Sequence, residues 1–306
     1  MRRPPNVFAG LSLDRAAHLR RDPVWLAARL ADPGSWLIPF WRGRSLVRWK
    51  GERAGAVRLA VGETLEAAEV VAAGTVVLLG VEEERAHFAL DLSQWDEAEA
   101  RGRLGGAGEL VDLKTVGSVL PGEEAALLAY VRGLLHWHSR HGFCGVCGAP
   151  TESRDGGHLR RCTGCGTDHF PRTDAAVIML VTDGERCLLG HQAAWPERVY
   201  STLAGFLEPG ESLEEAVARE VWEEAGIRVA DVAYHSSQPW PFPASIMLGF
   251  TARALTTDIE RHDDELADAR WFHRRELADR ATRPIQLPSR HSIAYRLIKD
   301  WLAGEA

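Results

Sequence analysis

The stretch Gly205–Ile227, reading GFLEPGESLEEAVAREVWEEAGI, restricts this chain more than any other part of it. Gly205, Pro209 and Gly210 mark a tight loop, and Ser212 is a good N-cap residue. A helix over Leu213–Ala225 is expected to follow, ended by Gly226 as a suitable C′ residue. Residues three and four apart then share a face. Leu213, Ala216 or Val217, and Val221 point toward a core, while Glu220, Glu223 and Glu224 converge on another side. Three carboxylates that close repel strongly unless a cation sits among them. A hard divalent ion, Mg²⁺ or Mn²⁺, takes such oxygen ligands and normally arrives with a phosphate. The competing reading is a solvated acidic helix face, the usual fate of a charge run.

The spacing decides between the two. Gly205, Glu211, Arg219, Glu220, Val221, Glu223, Glu224, Gly226 and Ile227 fill every fixed position of a pattern that resembles the Nudix box. Nine constrained positions over 23 residues separate it from an accidental acidic run. The resemblance implies an α/β sandwich in which a mixed sheet carries helices, and hydrolysis of a diphosphate.

At 306 residues the chain has room for about two domains of ordinary size. A formal charge of −7 argues against a protein that grips nucleic acid through a general basic surface, although a nucleotide or a transcript's end remains a possible substrate. No apolar run reaches the ~20 residues needed to cross a bilayer, and MRRPPNVFAGLSLDRAAHLRRD lacks the apolar core of a signal peptide. Cys144-Gly-Val-Cys147 and Cys162-Thr-Gly-Cys165 form two tight pairs with 14 residues between them. Two such knuckles make a closed tetrahedral site suited to structural Zn²⁺ in a reducing compartment. A redox-active pair would need a thioredoxin-like strand–CxxC–helix context, which is missing. A cytoplasmic protein is expected.

Residues 1 to about 120 read as short strands at Trp36–Phe40, Ser45–Trp49, Ala56–Val61, Val76–Val81 and Ala86–Leu92, with a short helix at Val24–Leu30. Trp36, Trp41, Trp49 and Trp95 read as core or interface aromatics. Glu123–His138 has helical apolar spacing, and His136, His138 and His141 lack partners at ligand spacing. From Ala175 the pattern turns α/β: strands at Ala175–Thr182 and Arg186–Gln192 flank a two-residue hairpin signal, Asp183-Gly184. Strands at Val199–Leu203, Ile227–Tyr234, Ser245–Ala254 and Ala269–Phe272 and a helix at His291–Leu302 complete the reading. The expected fold class is multidomain α+β: an N-terminal α/β domain over 1–138 with a structural or dimerisation role, a zinc ribbon over 139–171, and a catalytic α/β/α sandwich over 172–306.

Ser237-Gln238-Pro239-Trp240-Pro241-Phe242-Pro243-Ala244-Ser245 narrows the family. Three prolines in five residues forbid regular strand or helix and hold a rigid, extended loop, and Trp and Phe on it suit a nucleobase and ribose. The segment SQPWPFPAS looks like the signature of NAD(H) diphosphatases within the Nudix superfamily, which also carry a four-cysteine ribbon before the catalytic domain. The resemblance runs from about Trp137 to the C-terminus. It implies that Glu220 and Glu224 ligate Mg²⁺ or Mn²⁺, that Glu223 shares that task or orients the attacking water, and that Glu265, in DDELADARWF, and the Ala204 carbonyl complete the site. It further implies that Arg219 orients a box glutamate, and that Gln238, Pro239, Trp240, Pro241, Phe242, Pro243, Ala244 and Ser245 contact the dinucleotide. Phe206 would lie against a base, and Ala294 would offer it a main-chain contact. Phe170 stands where the family has a tyrosine that stacks on a base in the partner subunit of a homodimer. The implied reaction converts NADH or NAD⁺ and water to NMN(H) and AMP, with removal of NAD caps from RNA 5′ ends as a related activity. Alternatives are a Nudix pyrophosphatase for ADP-ribose or dinucleoside polyphosphates, a non-enzymatic nucleotide sensor, and a Nudix-fold isomerase.

Overall fold

Short apolar runs broken by glycine or charge become strands in the computed structural model, which describes residues 4–61, 75–262 and 265–305. Two units emerge from the chain's contacts: one is Phe8–Thr173 with Pro241–Ala244, the other the residues up to Val7 with Asp174–Trp240 and Ser245–Ala306.

In the first of these, α1 (Pro23–Ala31) starts where the Asp22 carboxylate accepts the Val24 and Trp25 N–H groups. Strands β1 (Trp36–Trp41), β2 (Arg44–Lys50), β3 (Arg53–Ala56), β4 (Leu59–Ala60), β5 (Val76–Glu82) and β6 (Arg85–Asp91) follow. Then come α2 (Glu97–Arg103), β7 (Glu109–Asp112), α3 (Leu113–Val116) and the long α4 (Gly122–Arg140). The sheet order is β3-β2-β1-β6-β5, with β4 on β1 and β7 on β2, and β1 runs parallel to β6. The single strand expected over Ala56–Val61 is broken. Glu124 of α4 accepts the Ala56 N–H at 2.7 Å and pairs with Arg58, drawing the chain out of the ladder. Trp41 is buried, whereas Trp49 is exposed and donates its indole N–H to Glu109. The same unit holds a small antiparallel sheet of β8 (Thr151–Arg154), β9 (Leu159–Cys162) and β10 (Asp168–His169), in the order β10-β9-β8.

The second unit is a mixed sheet of β11 (Asp174–Thr182), β12 (Arg186–His191), β13 (Leu203–Phe206), β14 (Val229–Trp240), β15 (Ser245–Ala254) and β16 (Asp268–His273). Its order is β14-β15-β11-β12-β16 with β13 on β11, and only β11 and β15 run parallel among these described pairs. Helix α5 (Leu213–Ala225) lies between β13 and β14 in sequence; α6 (Arg274–Ala278) and α7 (Ile293–Leu302) close the chain. Alternation along β11 sorts the core into two layers. Val177, Met179 and Val181 pack with Val217 and Val221 of α5, while Ile178 and Leu180 pack with Leu297, Ile298 and Trp301 of α7.

Three expectations need correction here. The hairpin after β11 turns one residue late, through Gly184-Glu185, because the Asp183 carboxylate takes the Arg186 N–H while the Asp183 N–H donates to the Arg186 carbonyl. Val199–Leu203 is not a strand of its own; the ladder begins at Leu203, where β13 pairs with β11. Ser237–Ser245 is not wholly a loop: β14 continues through Trp240, with Gln238 opposite Met247, Pro239 opposite Ile246 and Trp240 opposite Ser245. A proline fits there because β14 is an edge strand, so one face of its backbone needs no ladder donor. The turn itself is Pro241–Ala244, with a cis Phe242–Pro243 bond.

Candidate active site and zinc site

Helix α5 presents the acidic residues as a rigid set. A capping box fixes its start: Ser212 Oγ accepts the Glu215 N–H, and Glu215 returns a bond from the Ser212 N–H at 2.7 Å. Gly226 ends it in the left-handed region, φ 67°. With the helix fixed at both ends, Glu220 and Glu224 fall on its buried side, at 8% and 2% exposure, and Glu223 stays half exposed. Glu220 lies over Gly205 of β13, where any Cβ would overlap the carboxyl group. Close approach of side chain to backbone is what requires glycine at that position.

Arg219 ties the set together. Its Nε and Nη2 donate to both oxygens of Glu211, at 2.5 and 3.0 Å. Its Nη1 donates to one oxygen of Glu220 at 2.8 Å and one of Glu223 at 2.9 Å, and Nη2 also reaches the Phe206 carbonyl. The hydrogen bond from Arg219 lowers the Glu211 pKa. Burial outweighs the same arginine at Glu220, whose pKa is raised, with Glu223 and Glu265 adding like-charge repulsion. Gln192 Nε2 donates to Glu265 Oε1 at 3.2 Å. Asp263 and Asp264, beside Glu265, lie outside the described residues. Ala204, on β13 opposite Ile178, is half-buried. One guanidinium is shared among Glu211, Glu220 and Glu223, and Glu265 lies in the charge field of Glu220, so the set is net acidic and of the oxygen type a hard divalent cation takes, although among the described residues no three of these carboxylates bring their oxygens within 4.8 Å of one another. The set is looser than the cysteines described next: the carboxylates repel, and Arg219 draws one oxygen from each of two of them.

Among the described residues, Cys144, Cys147, Cys162 and Cys165 are the group of three or more candidate ligands whose atoms all lie within 4.8 Å of one another. Sγ–Sγ distances of 3.7 Å (Cys144–Cys165) and 3.4 Å (Cys147–Cys162) approach the roughly 3.8 Å edge of a tetrahedron with ~2.3 Å Zn–S bonds. Main-chain N–H groups of Val146, Gly164 and Cys165 point at the sulfurs, as thiolates require. The Thr167 hydroxyl pulls the Cys165 thiol down to about 6. These residues fit zinc.

Three family descriptions match in succession: an NADH pyrophosphatase-like rudimentary NUDIX domain over residues 34–137, an NADH pyrophosphatase zinc ribbon domain over 139–170, and a NUDIX domain over 171–295. The NAD-capped RNA hydrolase NudC of Mycobacterium bovis is 37% identical over 313 residues, spanning 98% of this chain and 95% of the relative. The chain belongs to the NADH pyrophosphatase family of Nudix hydrolases. Human NAD-capped RNA hydrolase NUDT12 is 35% identical, covering 97% of this chain and 73% of that protein. Nudix hydrolase 19, chloroplastic, of Arabidopsis thaliana is 41% identical, covering 79% and 61%.

The remaining residues expected from the family divide by environment. In the Nudix unit, Phe206 is 60% exposed, and Trp240 stacks on His291, with ring centroids 6.2 Å apart. Pro239 and Ser245 sit in the β14–β15 ladder. Gln238 does not face solvent at all. Its amide is spent on the Val7 and His291 carbonyls and the Ile293 N–H, so it braces the start of α7. Ala294 is buried in the first turn of α7, between Ile293, whose N–H donates to Gln238, and Tyr295, whose N–H donates to Ser292. In the other unit, Phe170 is 67% exposed. Arg132 Nε donates to the Pro241 carbonyl at 2.8 Å, and its guanidinium and the Phe8 ring pack on Phe242; Pro243 and Ala244 complete that turn. Sequence reasoning missed Glu211 as Arg219's principal partner and Gln192 as a contact of Glu265. The first was visible as a fixed box position; the second had no signal, because it depends on strand register. His138 and His141 bond to the carbonyls of Gly157 and Trp137, which accounts for both without a metal.

Proposed function

We propose that this protein catalyses metal-dependent hydrolysis of the diphosphate bond of NAD(H), giving NMN(H) and AMP, and that it removes NAD caps from RNA 5′ ends. The two buried box carboxylates, Glu224 and the Glu220 that Arg219 holds against Gly205, carry the reading. Glu220, Glu224, Glu223, Glu265 and the Ala204 carbonyl are the residues that would hold Mg²⁺ or Mn²⁺. A bound divalent ion neutralises phosphate oxygens and lowers the pKa of a coordinated water. Arg219 spends its donors on three carboxylates and the Phe206 carbonyl, so it positions ligands instead of binding substrate. Glu223 is the most accessible of the box glutamates, which suits it to orient a water at the scissile phosphorus. Exposed Phe206 offers a ring face to a base, and the Ala294 N–H offers a donor to a ring nitrogen or carbonyl. Phe170 would stack on a base in the second subunit of a homodimer; where the family's tyrosine has a hydroxyl, phenylalanine keeps the ring alone.

The cysteine set suits a reducing compartment, and we place the protein in the cytoplasm; among the described residues no helix is long and apolar enough to cross a membrane. Product analysis on NADH with added Mg²⁺ or Mn²⁺ tests the central reading. Wild type releases NMNH and AMP, and Glu224→Gln, which removes one ligand charge, lowers turnover by roughly 10²-fold or more with an unchanged fold. Faster turnover of ADP-ribose than of NADH would favour the broader pyrophosphatase instead. NAD-capped RNA that yields no NMN would remove the decapping activity.

A further inference from the structure

An arginine-lined cavity of about 900 Å³ opens in the Nudix unit, bordered by Arg198, Arg280, Arg283, Arg290, Gln286 and Tyr295. No aspartate or glutamate lines it, in a chain whose formal charge is −7. Two of the arginines are fixed by the fold: Arg198 donates to the carbonyls of Arg283 and Pro284, and Arg283 to that of Leu277. Arg280 and Arg290 are exposed and have no ion pair or hydrogen-bond acceptor among the described residues. Converging guanidinium groups without a counter-charge repel one another, and their planar forks match phosphate. None of the acidic residues of the metal site takes part. A second cavity of about 330 Å³ shares Arg290 and Tyr295, but there Arg296 and Lys299 stand with Asp300 and Glu305, so the lining without acidic residues belongs to the first cavity. Four arginines beside the Tyr295 ring in one cavity offer more phosphate contacts than a mononucleotide uses, which suits a strand of nucleic acid. Val199 pairs with Gln286 on the cavity wall, and five residues later the chain reaches Ala204, a span of at most roughly 18 Å.

We propose that this cavity holds the phosphodiester backbone of the RNA strand that follows an NAD cap. The assignment rests on the reading that capped RNA is a substrate. It explains how an acidic protein gains affinity for the polymer without a general basic surface: one cleft in the catalytic unit gathers arginines with no acidic residue in its lining.

The test is the double variant Arg280→Gln/Arg290→Gln, read in two arms. In the first, binding of a short single-stranded RNA with a 5′-hydroxyl end is titrated over a range of salt concentrations. Loss of two phosphate contacts should reduce the slope of log K against log[salt] by about 1.4 and weaken low-salt binding roughly tenfold. In the second, kcat/KM for NADH should be unchanged while kcat/KM for NAD-capped RNA falls roughly tenfold, and Arg280→Lys/Arg290→Lys should restore most of the loss. An unaltered RNA affinity and salt slope overturns the assignment, as does an equal loss on NADH and capped RNA. If wild type binds RNA through these arginines yet releases no NMN from capped RNA, the strand site stands and the decapping reading falls.

Discussion

Gly205 and Arg219 act on the same carboxylates by opposite means, one by leaving space and the other by filling it. A methyl group at 205 would press into the Glu220 carboxyl, which is held from its other side by Arg219. Gly205→Ala should fold, because the strand can accept alanine, yet lose roughly 10²-fold in kcat through displacement of one ligand; steady-state turnover of NADH with circular dichroism as a fold control checks it. Arg219→Lys keeps the charge and loses the fork that spans both Glu211 oxygens. Partly buried Glu211 and Glu220 are then left with one point donor between them, and stability should fall by on the order of 1–2 kcal/mol in urea unfolding.

Two elements depend on a local device for their existence. Helix α5 begins at the reciprocal Ser212–Glu215 cap, so Ser212→Ala should cost about 1 kcal/mol and leave the substrate preference alone, as thermal melts and NADH kinetics would report. The ribbon β8–β10 has too little apolar surface to hold itself, with Leu159 its one large buried aliphatic side chain in the described strands. Its four thiols therefore supply its stability through zinc. Chelation, or Cys147→Ser, should abolish hydrogen-exchange protection across Thr151–His169 while the α5 amides of the other unit keep theirs.

Across the larger unit, buried histidines set the response to acid. Burial brings His87, His138 and His158 each to about 4, against an ordinary 6.5. At His138 the geometry shows why a second proton is excluded: Nε2 donates to the Gly157 carbonyl at 2.7 Å, and Nδ1 accepts from Arg160. Between pH 6.5 and 4 the unfolded chain binds more protons than the folded one, so stability rises with pH across that window and is lost as pH falls through it. The stabilisation is complete above 6.5. Each histidine contributes up to about 1.4 kcal/mol per pH unit within the window. Thermal unfolding at steps from pH 7 to 4.5 should show a falling midpoint, and His158→Gln, whose ring N–H bonds to the Leu78 carbonyl, should flatten the fall.

The sequence by itself determined whatever depends on spacing along one helix or one knuckle. Glu220, Glu223 and Glu224 share a side because of helical period, the four cysteines meet because each pair is a tight turn, and Ser212 and Gly226 bound α5 by their own chemistry. Tertiary structure decided what depends on neighbours distant in sequence. Pro239 can sit in a strand only because β14 is an edge, and Gln238 braces α7 instead of meeting solvent because His291 and Ile293 fold back onto it. The basic cleft joins Arg198 to arginines some eighty and more residues later, and no local pattern encodes that proximity. Periodicity reports which side of an element a residue occupies; only packing determines what stands opposite.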